Sequence, residues 1–172
     1  MSAPRLTEAT VTLIQSCIQQ NIVNALADVR TDRADAKVVL SAPQQGSYFL
    51  YEPTHAFKAP AIIIIAPDFD FKTSEFKANH ISGVVQVKVA AVVEDRDKTF
   101  LTYKAWRYQS ALHEILGQAE LTSTDSKVKI TVVIKHASFS PEFSTAKDKG
   151  SSEAVFRKEV MFDCSVYHWE NF

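Results

Sequence analysis

Residues 59–71 read APAIIIIAPDFDF, and the central run 61–66 is apolar at every position. Pro60 and Pro67 flank this run, which makes it too short for a helix of ordinary length. A short run that is apolar on both parities is typical of a strand buried on both faces. We therefore expect residues 61–66 in the middle of a β-sheet, with Asp68 and Asp70 starting a turn after it.

Further strands are predicted on both sides of this run. The longest signal covers residues 81–93, where Val85, Val87 and Val89 alternate with Gln86 and Lys88. This alternation is typical of a half-buried strand. The same pattern predicts two final strands at residues 128–135 and 155–169. Short apolar pieces at 38–40 and 48–51 predict edge strands.

Two long helices are predicted, the first over residues 8–29. Its apolar stripe is spaced by three or four and consists of Val11, Ile14, Ile18, Ile22, Leu26 and Val29. Thr7 is the expected N-cap, because its hydroxyl can accept a hydrogen bond from the first turn. The opposite side, which includes Gln15 and Gln19, is polar but nearly uncharged. That composition suits contact with another protein as well as contact with water.

The second helix is expected to follow a charged turn and to run from about Leu101 to Leu116. Its apolar residues again fall at helical spacing. Asp97 is the expected N-cap, where its carboxylate also meets the positive end of the helix dipole. Gly117 is the expected left-handed C-cap. The order of elements predicts an α+β fold, in which both long helices pack on a mostly antiparallel, mixed sheet.

The composition is that of one globular domain, residues 1–172. The chain is 46% hydrophobic and 23% charged, which excludes a disordered tail. Its formal net charge of −1 removes the uniform positive field of a free-standing nucleic-acid binder. No stretch approaches the roughly 20 apolar residues that cross a bilayer, and the N-terminus has no apolar signal core. We expect a protein made in a cytoplasm, with a long polar loop at residues 138–152.

No sequence pattern typical of a metal or nucleotide site is present. The five histidines are scattered singly, and the four glycines form no phosphate-binding loop. Cys17 and Cys164 lack the paired spacing of a zinc site and are expected to be reduced, buried thiols. The sequence therefore predicts no metal and no cofactor.

One enzymatic pattern remains as an alternative. Pro67-Asp68 is followed on the next strand by Gln86-Val87-Lys88, an order similar to the metal-dependent nuclease family with a PD…(D/E)xK motif. The chemistry would use carboxylates to hold Mg²⁺ and Lys88 to stabilise developing charge, with Asp70 as a further ligand. Gln86 replaces the second acidic ligand of the motif. The competing interpretation is a turn at Asp68 and Asp70 and a solvated strand lysine at Lys88.

An aromatic cluster stands in the polar segment after the isoleucine run. It consists of Phe69, Phe71 and Phe76. One interpretation is a small local core. The other is a contact with a partner or a second copy, because aromatic residues are enriched at interface centres. The sequence leaves both interpretations open.

The order of segments resembles the tail-terminator and tail-completion proteins of long-tailed bacteriophages, which join tail to head. The resemblance rests on "YFLYEP…APAIIIIAPDFDF", the valine-rich strand, and "VVEDRDKTFLTYKAWRYQSALHEIL", and it covers about residues 48–116. In that family an acidic turn leads into a helix with an Arg-Tyr pair and an Ala/Leu stripe. The matching residues here are Arg107, Tyr108, Ala111, Leu112, Ile115 and Leu116.

The resemblance implies a non-enzymatic virion protein, assembled in the host cytoplasm as a homo-oligomeric ring, commonly a hexamer. Such a ring ends polymerisation of the tail tube at its head-proximal end and docks on the head or neck connector. Its partners would be the tube protein, the connector and, without sequence specificity, the DNA passing through. We expect Lys147 and Lys149 in a channel or docking loop, and Phe69, Phe71, Phe76, Gln15 and Gln19 at contacts. A neck or head-completion adaptor is a further alternative.

Overall fold

The computed structural model describes residues 5–77, 79–144 and 154–172, with residues 71–77 as backbone alone. The helices are α1 Leu6–Arg33 and α2 Lys98–Leu116, with a short 3₁₀ turn at Gln45–Ser47. The strands are β1 Tyr48–Phe49, β2 Ala61–Lys77, β3 His80–Asp95, β4 Glu120–Thr122, β5 Val128–Phe139, β6 Phe143–Ser144 and β7 Phe156–Asn171. The predicted α+β class with two long helices is confirmed.

The strands form one mixed sheet in the order β1-β2-β3-β7-β5-β4, with β6 paired to one end of β7. All neighbours are antiparallel except β1, which runs parallel to β2. The four long strands β2, β3, β7 and β5 make the body of the sheet. β1 and β4 are two and three residues long and cover only part of the outer edges.

Both helices pack on the same face of this sheet, which we call the helix face. The whole predicted stripe of α1 is buried there, at Val11, Ile14, Ile18, Ile22, Leu26 and Val29. It meets alternate residues of the strands, among them Val85, Val87, Val132, Phe162 and Val166. Each such side chain removed from water contributes about 1.5–3 kcal/mol, so this contact is the main source of stability.

The isoleucine run is buried on both faces, as predicted, but it lies next to an edge of the sheet instead of in its middle. Ile62 and Ile64 join the core under the helices, whereas Ile63 packs in a second, smaller cluster with Phe49 and Val92. The expected turn at Asp68 and Asp70 is wrong. β2 continues through both residues, and a bulge between Ile65 and Asp68 accommodates Pro67, which has no N–H for the ladder.

The first helix begins earlier than predicted, and Thr7 is not its N-cap. Arg5 holds the N-cap position without a side-chain capping bond. The carboxylate of Glu170 accepts hydrogen bonds from the backbone amides of Arg5, at 2.9 Å, and Leu6, at 3.1 Å. Glu170 therefore has the N-capping role that was predicted for Thr7. Its carboxylate accepts hydrogen bonds from the first free amides and lies at the positive end of the helix dipole.

The N-terminus of α2 agrees with the sequence, and its C-terminus differs by one residue. The Asp97 carboxylate accepts from the amides of Thr99 and Phe100, as an N-cap does. Gly117 has φ −64°, and Gln118 is the left-handed residue with φ 58°. Glycine is required at position 117 by space, because a Cβ there would lie 2.6 Å from the His113 carbonyl oxygen.

The remaining differences concern short elements. Residues 38–40 form no strand, whereas β4 and β6 were not predicted, because two or three residues carry no periodic signal. β5 and β6 occupy the first part of the predicted loop 138–152, and Lys147 and Lys149 lie outside the described residues. No helix in the described part of the chain combines the length and apolar character needed to cross a membrane.

Candidate assembly surfaces

In the part of the chain that the structure describes, the side of the sheet opposite the helices is only partly covered, and we call it the open face. Along β3 and β7 its side chains alternate with those of the helix face. Lys88 lies across from Asp163, and both are exposed. Tyr167 on the same face is 51% exposed. A sheet of such long strands usually has a further layer packed on a face like this one.

One end of the open face contains a cavity of about 530 Å³, which we call the acidic groove. Its floor is apolar and consists of Ile63, Ile65, Ala90 and Met161. Its charged groups are Glu52, Glu159, Asp163 and Lys88. The groove therefore combines an apolar base with three carboxylates and one ammonium.

The carboxylates of the acidic groove are poorly compensated. Burial raises the pKa of Glu159, and the negative charge of Glu52 raises it further. Neither side chain forms an ion pair or a side-chain hydrogen bond with another described residue. Two like charges beside an apolar surface disfavour one another, so a cation from outside the chain would be stabilised here.

The wall that carries Glu52 is held over the sheet by Arg157. This guanidinium donates to the Phe57 carbonyl oxygen at 2.6 Å and pairs with Glu94 at 3.1 Å. It also lies 4.8 Å from the centroid of the Phe57 ring, within cation–π range. The Phe57 ring in turn contacts Phe49 of β1. These contacts fix one side of the acidic groove before any partner arrives.

A second surface, the aromatic ridge, lies on the outside of the helix layer. Tyr103 and Trp106 of α2 are 38% and 51% exposed, and their rings meet edge to face at 5.7 Å. They border a cavity of about 520 Å³ together with Arg33, Arg107 and Asp35. Exposed aromatic rings beside guanidinium groups have the composition of interface centres.

The Arg-Tyr pair that carried the resemblance has a structural position in this chain. Arg107 is buried and pairs with the Asp35 carboxylate at 3.1 Å. The Tyr108 hydroxyl donates to the Ser41 carbonyl oxygen, and burial raises the pKa of Tyr108. The two side chains therefore fasten the segment after α1 to α2, and they hold Asp35 beside the aromatic ridge.

The predicted contact residues fall in several places. Gln15 is half-buried and Gln19 exposed on α1, away from the acidic groove. Phe69 is half-buried and packs against the core of the helix face. Phe76 pairs with Ile81 through its backbone, and the side chains of Phe71 and Phe76 lie outside the described residues. Their role in contacts stays a prediction.

The residues of the nuclease alternative do come together on the open face. Asp68 lies across from Gln86, Asp70 across from Val84, and Lys88 follows two residues after Gln86. The Gln86 side-chain oxygen accepts a hydrogen bond from Ser165 at 3.1 Å. Within the described ranges, no three His, Cys, Asp or Glu side chains are grouped so that they could hold a metal ion.

A buried polar network was missed by sequence reasoning. His168 lies between Thr10, at 2.9 Å from its Nδ1, and Glu170, at 3.2 Å from its Nε2. The order resembles a hydroxyl-imidazole-carboxylate relay. However, the His168 and Glu170 side chains are at most 1% exposed, so no substrate reaches them. On β7, His168 and Glu170 share the parity of the buried Phe162, Cys164 and Val166, so strand alternation was the available signal.

Opposing effects set the charges in this network. Burial would raise the pKa of Glu170, but hydrogen bonds from Arg5, Leu6 and His168 outweigh it and lower the pKa. Burial lowers the pKa of His168 more than Glu170 raises it. The native state therefore holds a carboxylate and a neutral imidazole, which anchor the start of α1 to the end of β7.

The two cysteines are both free thiols. Cys164 is buried, and burial raises its pKa to about 12. Cys17 is half-buried, less than expected, and burial raises its pKa as well. Thiols with raised pKa values are poor nucleophiles near neutral pH, so neither residue has the setting of a reactive cysteine.

No protein-family model matches this chain, and no curated protein matches it. Among solved structures, a chain described as "Virion of native gene transfer agent (GTA) particle" is similar over 87% of this chain and 94% of its own. The sequence identity is 14% and the TM-score 0.34. These values are too low to establish a shared fold, so the similarity assigns neither a family nor a role.

Proposed function

We propose that this chain is a structural subunit of a bacteriophage tail that forms a ring at the head-proximal end of the tail tube. The ring ends tube polymerisation and joins the tail to the head or neck connector. The observation that carries the proposal is the uneven covering of the sheet. The helices cover one face, whereas the described part of the chain leaves on the open face a cavity with an apolar floor and charged groups around it. A subunit of this kind completes its packing by contact with other chains.

The resemblance in sequence supports the same role. Residues 48–116, where it lies, correspond to β1, β2, β3 and α2, which are consecutive in the chain. The Ala/Leu stripe of α2 faces the core through Ala111, Leu112 and Leu116. The charge of the chain suits a ring too, because a net charge of −1 keeps repulsion between several copies small.

In the proposed ring the protein acts by binding and not by catalysis. Its partners are further copies of itself within the ring, the tube protein on one side of the ring and the connector protein on the other. DNA passing through the ring would be contacted without sequence readout. The ring is proposed as a hexamer located in the virion, at the junction of tail and neck.

The terminating activity is tested with purified tube protein of the same phage. Tubes polymerise alone or with this chain, and their lengths are measured by electron microscopy. The proposal predicts shorter tubes with a ring at one end, in proportion to the added chain. Tube lengths that do not change, with no density at either end, would overturn it.

The absence of catalysis is tested separately. Supercoiled DNA is incubated with the protein and Mg²⁺, beside a variant with Asp68→Ala and Lys88→Ala. The proposal predicts no cleavage by either protein and the same tube-capping by both. Magnesium-dependent cleavage that the double substitution abolishes would establish the nuclease alternative instead.

A further inference from the structure

We propose that neighbouring copies join by seating the aromatic ridge of one subunit, Tyr103 and Trp106 with Arg33, in the acidic groove of the next. This contact rests on the proposed function, because it requires the chain to associate with copies of itself. Both surfaces belong to the same chain. They lie on different layers of it, the ridge outside the helices and the groove on the far side of the sheet.

The charges of the two surfaces are complementary. The acidic groove holds the carboxylates of Glu52, Glu159 and Asp163 against the single ammonium of Lys88. The cavity of the aromatic ridge holds the guanidinium groups of Arg33 and Arg107 against the single carboxylate of Asp35. The acidic groove therefore has an excess of negative charge, whereas the aromatic ridge presents the exposed guanidinium of Arg33, whose neighbour Asp32 is 3.8 Å away. A carboxylate-rich groove and an exposed guanidinium are complementary. Such pairs steer association and fix its register.

Of the two arginines that line the aromatic ridge, Arg33 is the one whose guanidinium is exposed enough to reach a neighbouring copy. Arg107 is buried and paired with Asp35, whereas the Arg33 side chain is 56% exposed, and its 3.8 Å ion pair with Asp32, itself 75% exposed, lies at the surface, where such pairs are weak. An arginine stem can lie on an apolar floor while its head meets carboxylates. Placed between Glu52 and Glu159, its guanidinium would offset both the burial and the repulsion from Glu52 that raise the pKa of Glu159.

The apolar parts of the two surfaces also fit. The acidic groove has an aliphatic floor that includes Ile65 and Met161, within a cavity of about 530 Å³. The aromatic ridge offers the Trp106 indole, which is half exposed in the free chain. A tryptophan buried in a desolvated pocket and flanked by an arginine is the usual composition of an interface hot spot.

The placement of the surfaces matches the symmetry of a ring. A contact between two different patches of identical chains is heterologous, and repeated head to tail it forms a ring when the rotation between neighbours closes. In this arrangement the helix layer of each copy covers the open face of its neighbour. Every sheet would then be covered on both faces at the end that carries the acidic groove, and the apolar floor of the groove would be buried.

The test uses two variants that each lose one surface. The ridge variant carries Arg33→Glu and Trp106→Ala, and the groove variant carries Glu52→Lys and Glu159→Lys. Mass is measured by light scattering at concentrations where the wild type forms rings, with tube protein present if the wild type needs it. We expect each variant alone to remain a single chain. Mixed in equal amounts, they should form complexes of two chains and no larger species, because only one intact contact exists.

Thermal unfolding of both variants checks that each is folded. The matched control substitution is Tyr167→Ala. Tyr167 is as exposed as Trp106 and lies on the open face, six residues along β7 from Met161 of the groove. We expect this variant to form rings like the wild type. If the wild type forms rings and the folded ridge variant does too, the inference is overturned and the proposed function stands. A lack of two-chain complexes in the mixture would overturn it as well. If the wild type stays monomeric alone and with tube protein, both proposals fail.

Discussion

The helix face of the sheet is closed, whereas the open face, made by the intervening residues of the same strands, remains accessible. On β7, Phe162 and Val166 are fully buried, while Asp163 and Tyr167, one residue further on, are exposed. The backbone is shared, so the difference arises from what covers each side. Among the residues that the structure describes, two helices cover one face, and the short segment around Phe57 covers part of the other.

This contrast separates stability from assembly. Residues on the helix face complete their packing within the chain, and their substitution should affect the free energy of unfolding. Residues of the acidic groove, at one end of the open face, complete theirs only when another molecule arrives, so their substitution should affect association.

The largest effect is expected in the centre of the helix face. Phe162→Ala removes a fully buried ring and should lower the free energy of unfolding by about 4 kcal/mol, through lost burial and the cavity left behind. Tyr167→Ala, on the open face, should change it by no more than about 0.5 kcal/mol. Urea denaturation of both variants measures the difference. Similar losses in the two variants would show that both faces are packed alike.

An intermediate effect is expected where the helix face holds a buried charge. Glu170→Gln weakens the hydrogen bonds to Arg5 and Leu6 and should cost about 2 kcal/mol at neutral pH. The native pKa of Glu170 is lowered, so its contribution is full above the ordinary value of 4.5 and is lost as the pH falls through the native pKa. Denaturation curves across this range should therefore converge. Asp163→Asn, at an exposed carboxylate, is the control, and a constant gap between Glu170→Gln and wild type would contradict the assignment.

The smallest effect on stability, and one of opposite sign, is expected in the acidic groove. Glu159→Gln removes a carboxylate whose pKa is raised by burial and by Glu52. A raised native pKa makes the charged form unfavourable in the folded state, so the variant should be more stable by about 0.5 kcal/mol near pH 7. The gain should vanish well below pH 4.5, where both states of the wild type are protonated. A destabilised variant at neutral pH would mean that the carboxylate has a favourable partner.

Regular patterns made the fold predictable to a large extent. The stripe of α1 and the alternation of β3 are long enough for period to identify the element and its buried side. The start of α1 was not predictable in this way, because its capping carboxylate, Glu170, lies 165 residues away in sequence from Arg5. The position of β2 near an edge was likewise not predictable from its own apolar run, because it depends on the outer neighbour β1 being only two residues long.

The candidate surfaces were much less predictable. The acidic groove draws residues from β2, β3, β5, β7 and the segment before β2, and none of these stretches has a motif for it. The aromatic ridge combines the end of α1 with the middle of α2, which meet only in the fold. Aromatic content pointed to Phe69, but that ring packs against the core. The exposure of a residue depends on which other elements cover it, and the spacing of residues within one element does not identify those elements.

The central claim, that the open face is completed by further copies of the chain, is tested most directly by the mass of the wild-type protein in solution. Light scattering over a concentration series, alone and with tube protein, measures it. The account predicts a discrete species of several chains, near the mass of a hexamer, in at least one of these conditions. A single-chain mass at every concentration in both conditions would contradict it.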